Sequence, residues 1–371
     1  MPESIRMLVG VKVIELSRDL GAGFCGQQLS MLGADVVRLV DEEGWLPTRD
    51  ESAPAGSGRS ASEIGLDRFK TRRRLVGDAA AKRAALKEAL ASADVLITDA
   101  TADELRELGV HWDDTARSER LIHVHISAFG ASGPYAGWTG GDLEAQALGG
   151  VIAQVGYPDQ SPLPLPYKAG LIHAGLQATG ATTAALYARR ASGLGGFIDI
   201  AAAQVLAADV RMYSLLSRYY GLPLKRSGRR PPGSMGNYPC AIFPCKDGYV
   251  VLIIRAGEQW RTMLAMMGSP AWGDDPKYQN SFKNAIHYAD ELDALMIPWL
   301  MQYTRAELIA KGIENRCPIG AVQTLAQVLD NEQYEWRGFF DTVEVDGKTV
   351  AVPGSPAQVT AKSVVGAMSH R

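Results

Sequence analysis

Few side chains in this sequence stand where they could carry out covalent chemistry. His173 lies in a stretch of small residues with helical spacing, and Glu144 lies in an earlier apolar stretch. Either side chain could act as a general base if the fold held it next to a substrate. Each also has a structural alternative. A helix histidine beside Ala174 and Gly175 packs or faces water, and a helix glutamate forms an ion pair.

Two further patterns point to other kinds of site, and both are incomplete. Gly21, Gly23 and Gly26 have the spacing of a dinucleotide-binding turn, but no acid stands where it would bind a ribose at the end of the second strand. Cys240 and Cys245 have neither a second cysteine pair nor a nearby histidine, so we expect no metal site. These patterns favour neither an NAD enzyme nor a zinc protein.

Composition excludes several classes of function. The chain has 371 residues, more than one ordinary hydrophobic core holds, so two domains are expected. A net charge of -3, with 21% charged residues, argues against a nucleic-acid partner. No apolar run has the length of a membrane span, so no membrane partner is expected either. The four cysteines are scattered, which favours a cytoplasmic protein over a disulfide-bonded one.

The first part of the chain has the pattern of a strand, a turn, a helix and a parallel strand. An apolar strand at 11–16 precedes the glycine-rich turn at 21–26, a helix at 27–32 and a stretch at 33–40 that turns into a second strand. Such a βαβ unit is the building block of a doubly wound α/β sheet. A loop is expected at 44–66. Further strands are expected at 93–97, 121–127 and 197–200, and helices at 79–91, 143–151, 171–189 and 201–216.

The second half has a different character. Residues 241–254 alternate around a turn at Lys246, Asp247 and Gly248, which predicts a hairpin. Helices are expected at 258–267, 289–301 and 305–311, and short strands at 343–345 and 349–352. The helices and the hairpin predict a small α+β domain.

Several stretches, in this order and spacing, together resemble the motifs of the family III CoA transferases (CaiB/BaiF type). They are GVKVIELS at 10–17 with LGADVVR at 32–38, ISAFGASGPY at 126–135, GDLEAQA at 141–147, NRCPIGAV at 315–322 and VPGSP at 352–356. The resemblance implies a Rossmann-like large domain from 1–220 and 340–371 and a small inserted domain at 235–325. Linkers would lie at 221–234 and 326–339. It also implies two chains that thread through each other like linked rings.

The residue that carries the family's chemistry is replaced in this chain. The family's aspartate attacks the acyl carbon of a CoA thioester, and it stands four residues before the glycine matched here by Gly175. That count places Leu171 at the position, and alignment on the preceding alanine places Gly170 there. Neither side chain can act as a nucleophile. The catalytic set of this chain is therefore predicted to be empty.

The stretch that resembles the family's CoA-binding segment also departs from its pattern. The family commonly has Asn-Phe-Arg-Pro-Gly followed by an arginine. Here Asp99 and Asp103 lie in the matching segment, and Glu107 stands at the arginine position. Carboxylates at these places would repel the phosphates of CoA. The related racemases use a histidine just before the aspartate matched by Asp142, and Gly141 replaces that histidine.

Four arginines remain as candidates for binding CoA, namely Arg18, Arg38, Arg72 and Arg73. Arg38, Arg72 and Arg73 match positions near the nucleotide in relatives. The alternative for these side chains is solvated surface charge.

The leading hypothesis is a non-catalytic subunit of a heteromeric family III CoA transferase. This chain resembles the non-catalytic type of subunit in succinyl-CoA:benzylsuccinate CoA transferases. A paralogous catalytic partner would supply the aspartate and the CoA site, with succinyl-CoA as donor and an acid such as (R)-benzylsuccinate as acceptor. The chain would need no cofactor of its own, because CoA thioester is the substrate of the complex.

Two alternatives stay open. The first is a homodimeric acyl-CoA transferase or isomerase that uses His173 or Glu144. The second is a binding or regulatory protein without enzymatic activity.

Overall fold

The computed structural model describes residues 6–40, 60–113, 119–221, 225–230, 237–254, 257–345 and 347–359. The strands are β1 (Lys12–Leu16), β2 (Asp35–Val40), β3 (Thr71–Arg74), β4 (Val95–Thr98), β5 (Ile122–Ser127), β6 (Gly196–Ala201), β7 (Cys240–Cys245), β8 (Gly248–Ile253), β9 (Ile319–Ala321), β10 (Phe340–Val345) and β11 (Lys348–Pro353). The helices are α1 (Leu20–Met31), α2 (Ala61–Leu66), α3 (Ala79–Leu90), α4 (Ala102–Glu107), α5 (Asp142–Leu148), α6 (Ala169–Ser192), α7 (Ala202–Asp209), α8 (Arg211–Tyr220), α9 (Gly257–Met266), α10 (Ser281–Lys283), α11 (Ala289–Leu300), α12 (Arg305–Glu314), α13 (Leu325–Leu329) and α14 (Glu332–Trp336).

The chain divides into two compact units. The first contains the described residues of 1–151, 165–210 and 329–371, so both ends of the chain contribute to it. The second contains those of 152–164 and 211–328. None of the described helices is both long and apolar enough to cross a membrane.

The first unit is built on a six-stranded parallel sheet with the order β3-β2-β1-β4-β5-β6. All four residues of β4 are buried, as expected for a central strand that helices cover on both faces. One face packs a cluster that includes Leu16, Leu86, Leu96 and Leu105. The predicted doubly wound α/β class is confirmed.

The glycine-rich segment after β1 differs from the prediction, because Gly21, Gly23 and Gly26 lie inside α1 rather than in a turn. A Cβ on Gly26 would lie 1.8 Å from Oε2 of Glu15, and one on Gly21 would lie 3.2 Å from the carbonyl oxygen of Leu171. Glycine is therefore needed for close packing against the sheet and against α6. The spacing that resembles a dinucleotide-binding turn has this structural cause.

The second unit has an antiparallel sheet with the order β7-β8-β9. Its hairpin confirms the alternation read at 241–254. The inward side chains of the hairpin, such as Phe243 and Leu252, pack in a buried cluster with Trp260 and Met296 from α9 and α11. The cluster gives this unit a hydrophobic core of its own.

Several local predictions need correction. The predicted helix at 201–216 is two helices, α7 and α8, separated at Val210. The end of the predicted loop at 44–66 is α2, which starts with a capping box formed by Ser60 and Glu63. The rest of that loop, 44–59, and linker residues 222–224 and 231–234 lie outside the described residues. Helix α14 lies within the span 326–339, and the assignment of that span as a linker stays a prediction.

Candidate functional site

A cavity of about 420 Å³ opens at the carboxyl ends of β1, β4 and β5. From β1 the chain adds β2 and β3 toward one edge of the sheet, and from β4 it adds β5 and β6 toward the other edge. The point at which the strand order reverses therefore lies between β1 and β4. Ligands of open parallel sheets bind in the crevice at such a point. The wall of the cavity includes Arg18, Asp19, Asp99, Trp112, His125 and Leu171.

Asp99 follows β4 directly, and its carboxylate binds backbone groups of the turn after β1. The Oδ2 atom accepts hydrogen bonds from the backbone N–H of Arg18 at 2.8 Å and from that of Asp19 at 2.6 Å. Burial raises the pKa of Asp99 to about 7, although these N–H groups oppose the shift. A carboxyl group that titrates near neutral pH therefore lies in the cavity wall.

The Arg18 guanidinium is paired within the chain. It forms a short ion pair with Glu104, a residue of α4. Glu104 also accepts hydrogen bonds from the N–H and the hydroxyl of Thr101, at 2.8 and 2.9 Å. Burial acts to raise the pKa of Glu104, but the bonds from Arg18 and Thr101 outweigh it and hold that pKa below its usual value. The positive charge that Arg18 brings to the cavity is thus balanced by a fixed carboxylate.

Leu171 occupies the wall of the cavity near the start of α6, and its side chain is only 4% exposed. Its backbone N–H donates to Asp142 at 2.8 Å, which ties α5 to the first turn of α6. Gly170, the alternative position from the sequence, does not line the cavity; a Cβ there would lie 2.9 Å from the Asp142 carboxylate. Of the two candidates for the family's nucleophile position, Leu171 is therefore the one that faces the cavity.

Neither of the two candidate bases, His173 and Glu144, lines the cavity. The Nδ1 atom of His173 is 2.8 Å from Oδ2 of Asp209, and its side chain is 47% exposed. Glu144 is exposed rather than buried, and it accepts the N–H of Gly141 at the start of α5. That hydrogen bond lowers the pKa of Glu144.

Of the four arginines predicted to bind CoA, only Arg18 lines the cavity. Arg38 is fully buried on β2, where its guanidinium binds the Asp67 carboxylate at 2.8 Å. Arg72 and Arg73 lie on β3, and Arg72 contacts Glu63 at 3.4 Å. A role of these arginines toward CoA stays a prediction.

Charged side chains on β1, β2 and the segment before β3 form a buried network that was not predicted from the sequence. Lys70 binds Glu15 at 2.8 Å and the carbonyl oxygen of Gly23 at the same distance. Arg38 lies 3.6 Å from Glu15 across the β1–β2 pairing. The signal in the sequence was a glutamate inside an otherwise apolar strand, which needs a cationic partner once buried.

Aromatic and imidazole side chains complete the wall. Trp112 stacks on Phe197 with ring centroids 4.8 Å apart, and its ring lies 5.5 Å from that of His125. The Nε2 atom of His125 is 3.2 Å from the carbonyl oxygen of Ala100. The alternating His123 and His125 near the end of β5 could have indicated these contacts. The sequence around Trp112 contains no such signal. Among the described residues, no group of three potential ligands is arranged to hold a metal ion.

Comparison with known proteins agrees with this geometry. The sequence profile of CoA-transferase family III matches residues 8–367. The chain is 28% identical over 363 residues to the succinate–glutarate CoA-transferase of Agrobacterium fabrum, covering 95% of this chain and 89% of that protein. A crystal structure of a CaiB/BaiF family protein from Brucella suis superposes with a TM-score of 0.80 at 25% identity, covering 99% of this chain and all of that one.

Two relatives are subunits of one enzyme. The alpha and beta subunits of succinyl-CoA–L-malate CoA-transferase from Chloroflexus aurantiacus are 25% and 26% identical to this chain over 345 and 355 residues. These matches cover 92% and 93% of this chain and 79% and 86% of the subunits. A match over nearly the whole chain, together with the shared fold and the cavity at the sheet reversal, shows that this chain belongs to CoA-transferase family III.

Proposed function

We propose that this chain is the non-catalytic subunit of a heteromeric CoA transferase that moves CoA from succinyl-CoA to an organic acid. The single observation that carries the proposal is Leu171 in the cavity wall. The family resemblance requires a carboxylate nucleophile there, which attacks the acyl carbon and releases the CoA thiolate. A leucine forms no acyl intermediate, so the covalent step belongs to another chain.

Two carboxylates, one bonded to Leu171 and one in the cavity wall, do not offer a replacement. Asp142 holds the backbone N–H of Leu171 and the side chain of Gln146. Asp99 holds the N–H groups of Arg18 and Asp19, and its pKa near 7 leaves it partly protonated at neutral pH. Both carboxylates stabilise the walls of the cavity rather than present a free oxygen to a thioester.

An uncharged, exposed face of α6 supports a partner chain. The residues Leu176, Gly180, Ala184, Tyr187 and Ala188 recur at helical spacing and are all exposed, with Tyr187 77% exposed. No charged residue occurs between 169 and 188. Small and apolar side chains on one face allow another chain to approach closely. We propose that the second chain of an interlocked pair covers this face.

The names of the relatives support the heteromer and the class of substrate. The succinyl-CoA–L-malate CoA-transferase among them consists of an alpha and a beta subunit, and another relative is a succinate–glutarate CoA-transferase. All of these acids are dicarboxylates, so we propose succinyl-CoA as the donor and a dicarboxylate as the acceptor. (R)-benzylsuccinate, a larger dicarboxylate, stays a prediction within that class.

The test is expression of the chain alone and with a family III chain that carries aspartate at the position of Leu171. We expect transfer of CoA from succinyl-CoA only in the co-expressed pair, and loss of that activity when the partner's aspartate becomes alanine. Robust transfer by the lone chain would refute the proposal.

A homodimeric enzyme that uses His173 is the second candidate, because its contact with Asp209 is the arrangement that orients a general base. The substitution His173→Asn separates the two. The subunit proposal expects unchanged activity of the pair, whereas the homodimer proposal expects a loss of about 10²-fold or more. Glu144 is disfavoured, since its carboxylate is held by Gly141.

A further inference from the structure

We infer that two acidic side chains, Asp99 and Glu104, occupy the hydrogen-bond donors that a CoA phosphate would need at the cavity, so that this chain excludes CoA. The inference rests on the proposed function and deepens it, because it assigns the exclusion to particular residues. In this inference CoA is excluded because contacts within the chain already occupy the donors. That cause differs from repulsion of the phosphates by surface charge.

The first occupied group of donors is the backbone between β1 and α1. The N–H groups of Arg18 and Asp19 both donate to Asp99, and the N–H of Leu20 donates to the Asp19 side chain at 2.7 Å. Consecutive N–H groups of this kind bind phosphate oxygens when they are available. Here carboxylates of the chain itself accept all three hydrogen bonds.

The second occupied donor is the guanidinium of Arg18, a cation in the cavity wall. Glu104 binds it through Oε1, while Oε2 accepts two hydrogen bonds from Thr101. The carboxylate is therefore fixed at both ends as part of the α4 capping box. A phosphate that approached Arg18 would have to displace a preorganised internal anion.

Asp103 provides the contrast. It also lines the cavity, but its carboxylate pairs with Arg106 at 2.9 Å and is 90% exposed. It accepts none of the hydrogen bonds described above. Removing its charge changes the electrostatic field in the cavity. The N–H groups and the guanidinium that could donate to a phosphate stay occupied, so Asp103→Asn is the matched control.

The experiment measures equilibrium binding of CoA and of adenosine 3′,5′-bisphosphate by calorimetry. The proteins are the wild type, D99A, E104A, the double variant D99A/E104A and D103N, each in the assembly in which the wild type purifies. Alanine is used at 99 and 104 because a side-chain amide would keep an oxygen that accepts the same hydrogen bonds. We expect the double variant to bind CoA at least about tenfold more tightly at this chain's site, with D103N unchanged. In a heteromeric pair, the added site appears as a higher stoichiometry of bound CoA.

Three results would overturn the inference. The wild-type site could bind CoA as tightly as the double variant, D103N could gain as much affinity as the double variant, or a double variant that is folded, as shown by a cooperative thermal transition, could fail to bind. The inference and the proposed function fail separately. If the partner's aspartate is essential but the wild-type pair binds CoA at both cavities, only the inference fails. If the lone wild-type chain is an active transferase, the proposed function fails.

Discussion

Replacement of Asp99 by asparagine should change how the stability of the protein depends on pH. The native pKa of Asp99 is about 7, against 3.8 for an ordinary aspartate, because burial disfavours the charged form. The folded chain therefore binds more protons than the unfolded chain between these values, and its stability falls as the pH rises through them. Asparagine does not ionise, and its carbonyl oxygen can keep the two bonds that Oδ2 accepts from Arg18 and Asp19.

The size of the effect follows from the two pKa values. Between pH 5 and pH 8 this single group removes about 2–3 kcal/mol from the free energy of unfolding of the wild type. The D99N variant lacks this loss, so its stability relative to the wild type should rise by about that amount over the same range. Most of the change in stability falls below pH 7. At higher pH Asp99 is ionised in the folded chain as well as in the unfolded chain, so the two states no longer differ in bound protons.

The assay is urea denaturation of wild type and variant at pH 5 and pH 8, at equal protein concentration because assembly contributes to stability. D103N serves as the control, since this exposed side chain should give a profile parallel to the wild type. A D99N profile that also runs parallel to the wild type would refute the reasoning. A D99N variant that loses stability relative to the wild type as the pH rises would also refute it. In that case the hydrogen bonds from the N–H groups would lower the pKa of Asp99 by more than burial raises it.

Three further predictions test the buried charges, the packing and the missing nucleophile. Arg38→Met should cost about 3–5 kcal/mol in urea denaturation, because it strands the buried carboxylates around it, whereas Arg73→Met on the exposed strand β3 should stay within about 0.5 kcal/mol. Gly26→Ala should cost about 1–3 kcal/mol because its Cβ meets a buried carboxylate, whereas Gly65→Ala in α2, with open space around it, should stabilise by about 0.5–1 kcal/mol. Leu171→Asp should leave the lone chain without CoA transfer from succinyl-CoA, because CoA stays excluded; measurable turnover would contradict this.

Local patterns sufficed for much of the fold. The alternation in 241–254 predicted the β7–β8 hairpin, since side-chain period and turn residues are properties of adjacent positions. The helix predicted at 171–189 is α6, Ala169–Ser192. The glycines of α1 were misread because the reason for Gly26 is Glu15, which contacts it across the β1–α1 packing. A spacing of glycines alone does not separate a turn from a tightly packed helix.

The sequence singled out the segment that places Leu171 in the cavity wall, but it did not give the contacts of the site. That the catalytic set of this chain is empty stays a prediction. From the sequence, Arg38 was a candidate to bind CoA or, alternatively, a surface cation, but pairing of β1 with β2 places it beside Glu15 inside the protein. Asp103 and Glu107 stood out as charge changes, yet Glu104 between them is the residue that binds Arg18. Which of several neighbouring carboxylates reaches a given cation depends on helix phase and on a contact across the sheet.

The sequence by itself determined the family, the class of fold and the presence of Leu171 or Gly170 where the family resemblance predicts an aspartate, because motifs, periodicity and residue identity are carried by the chain order. Only the tertiary structure decided that Leu171 rather than Gly170 faces the cavity. It also decided that Asp99 binds a turn about 80 residues away along the chain. Parallel strands bring their carboxyl ends together from distant parts of a sequence, so the partners of each side chain there are set by strand order.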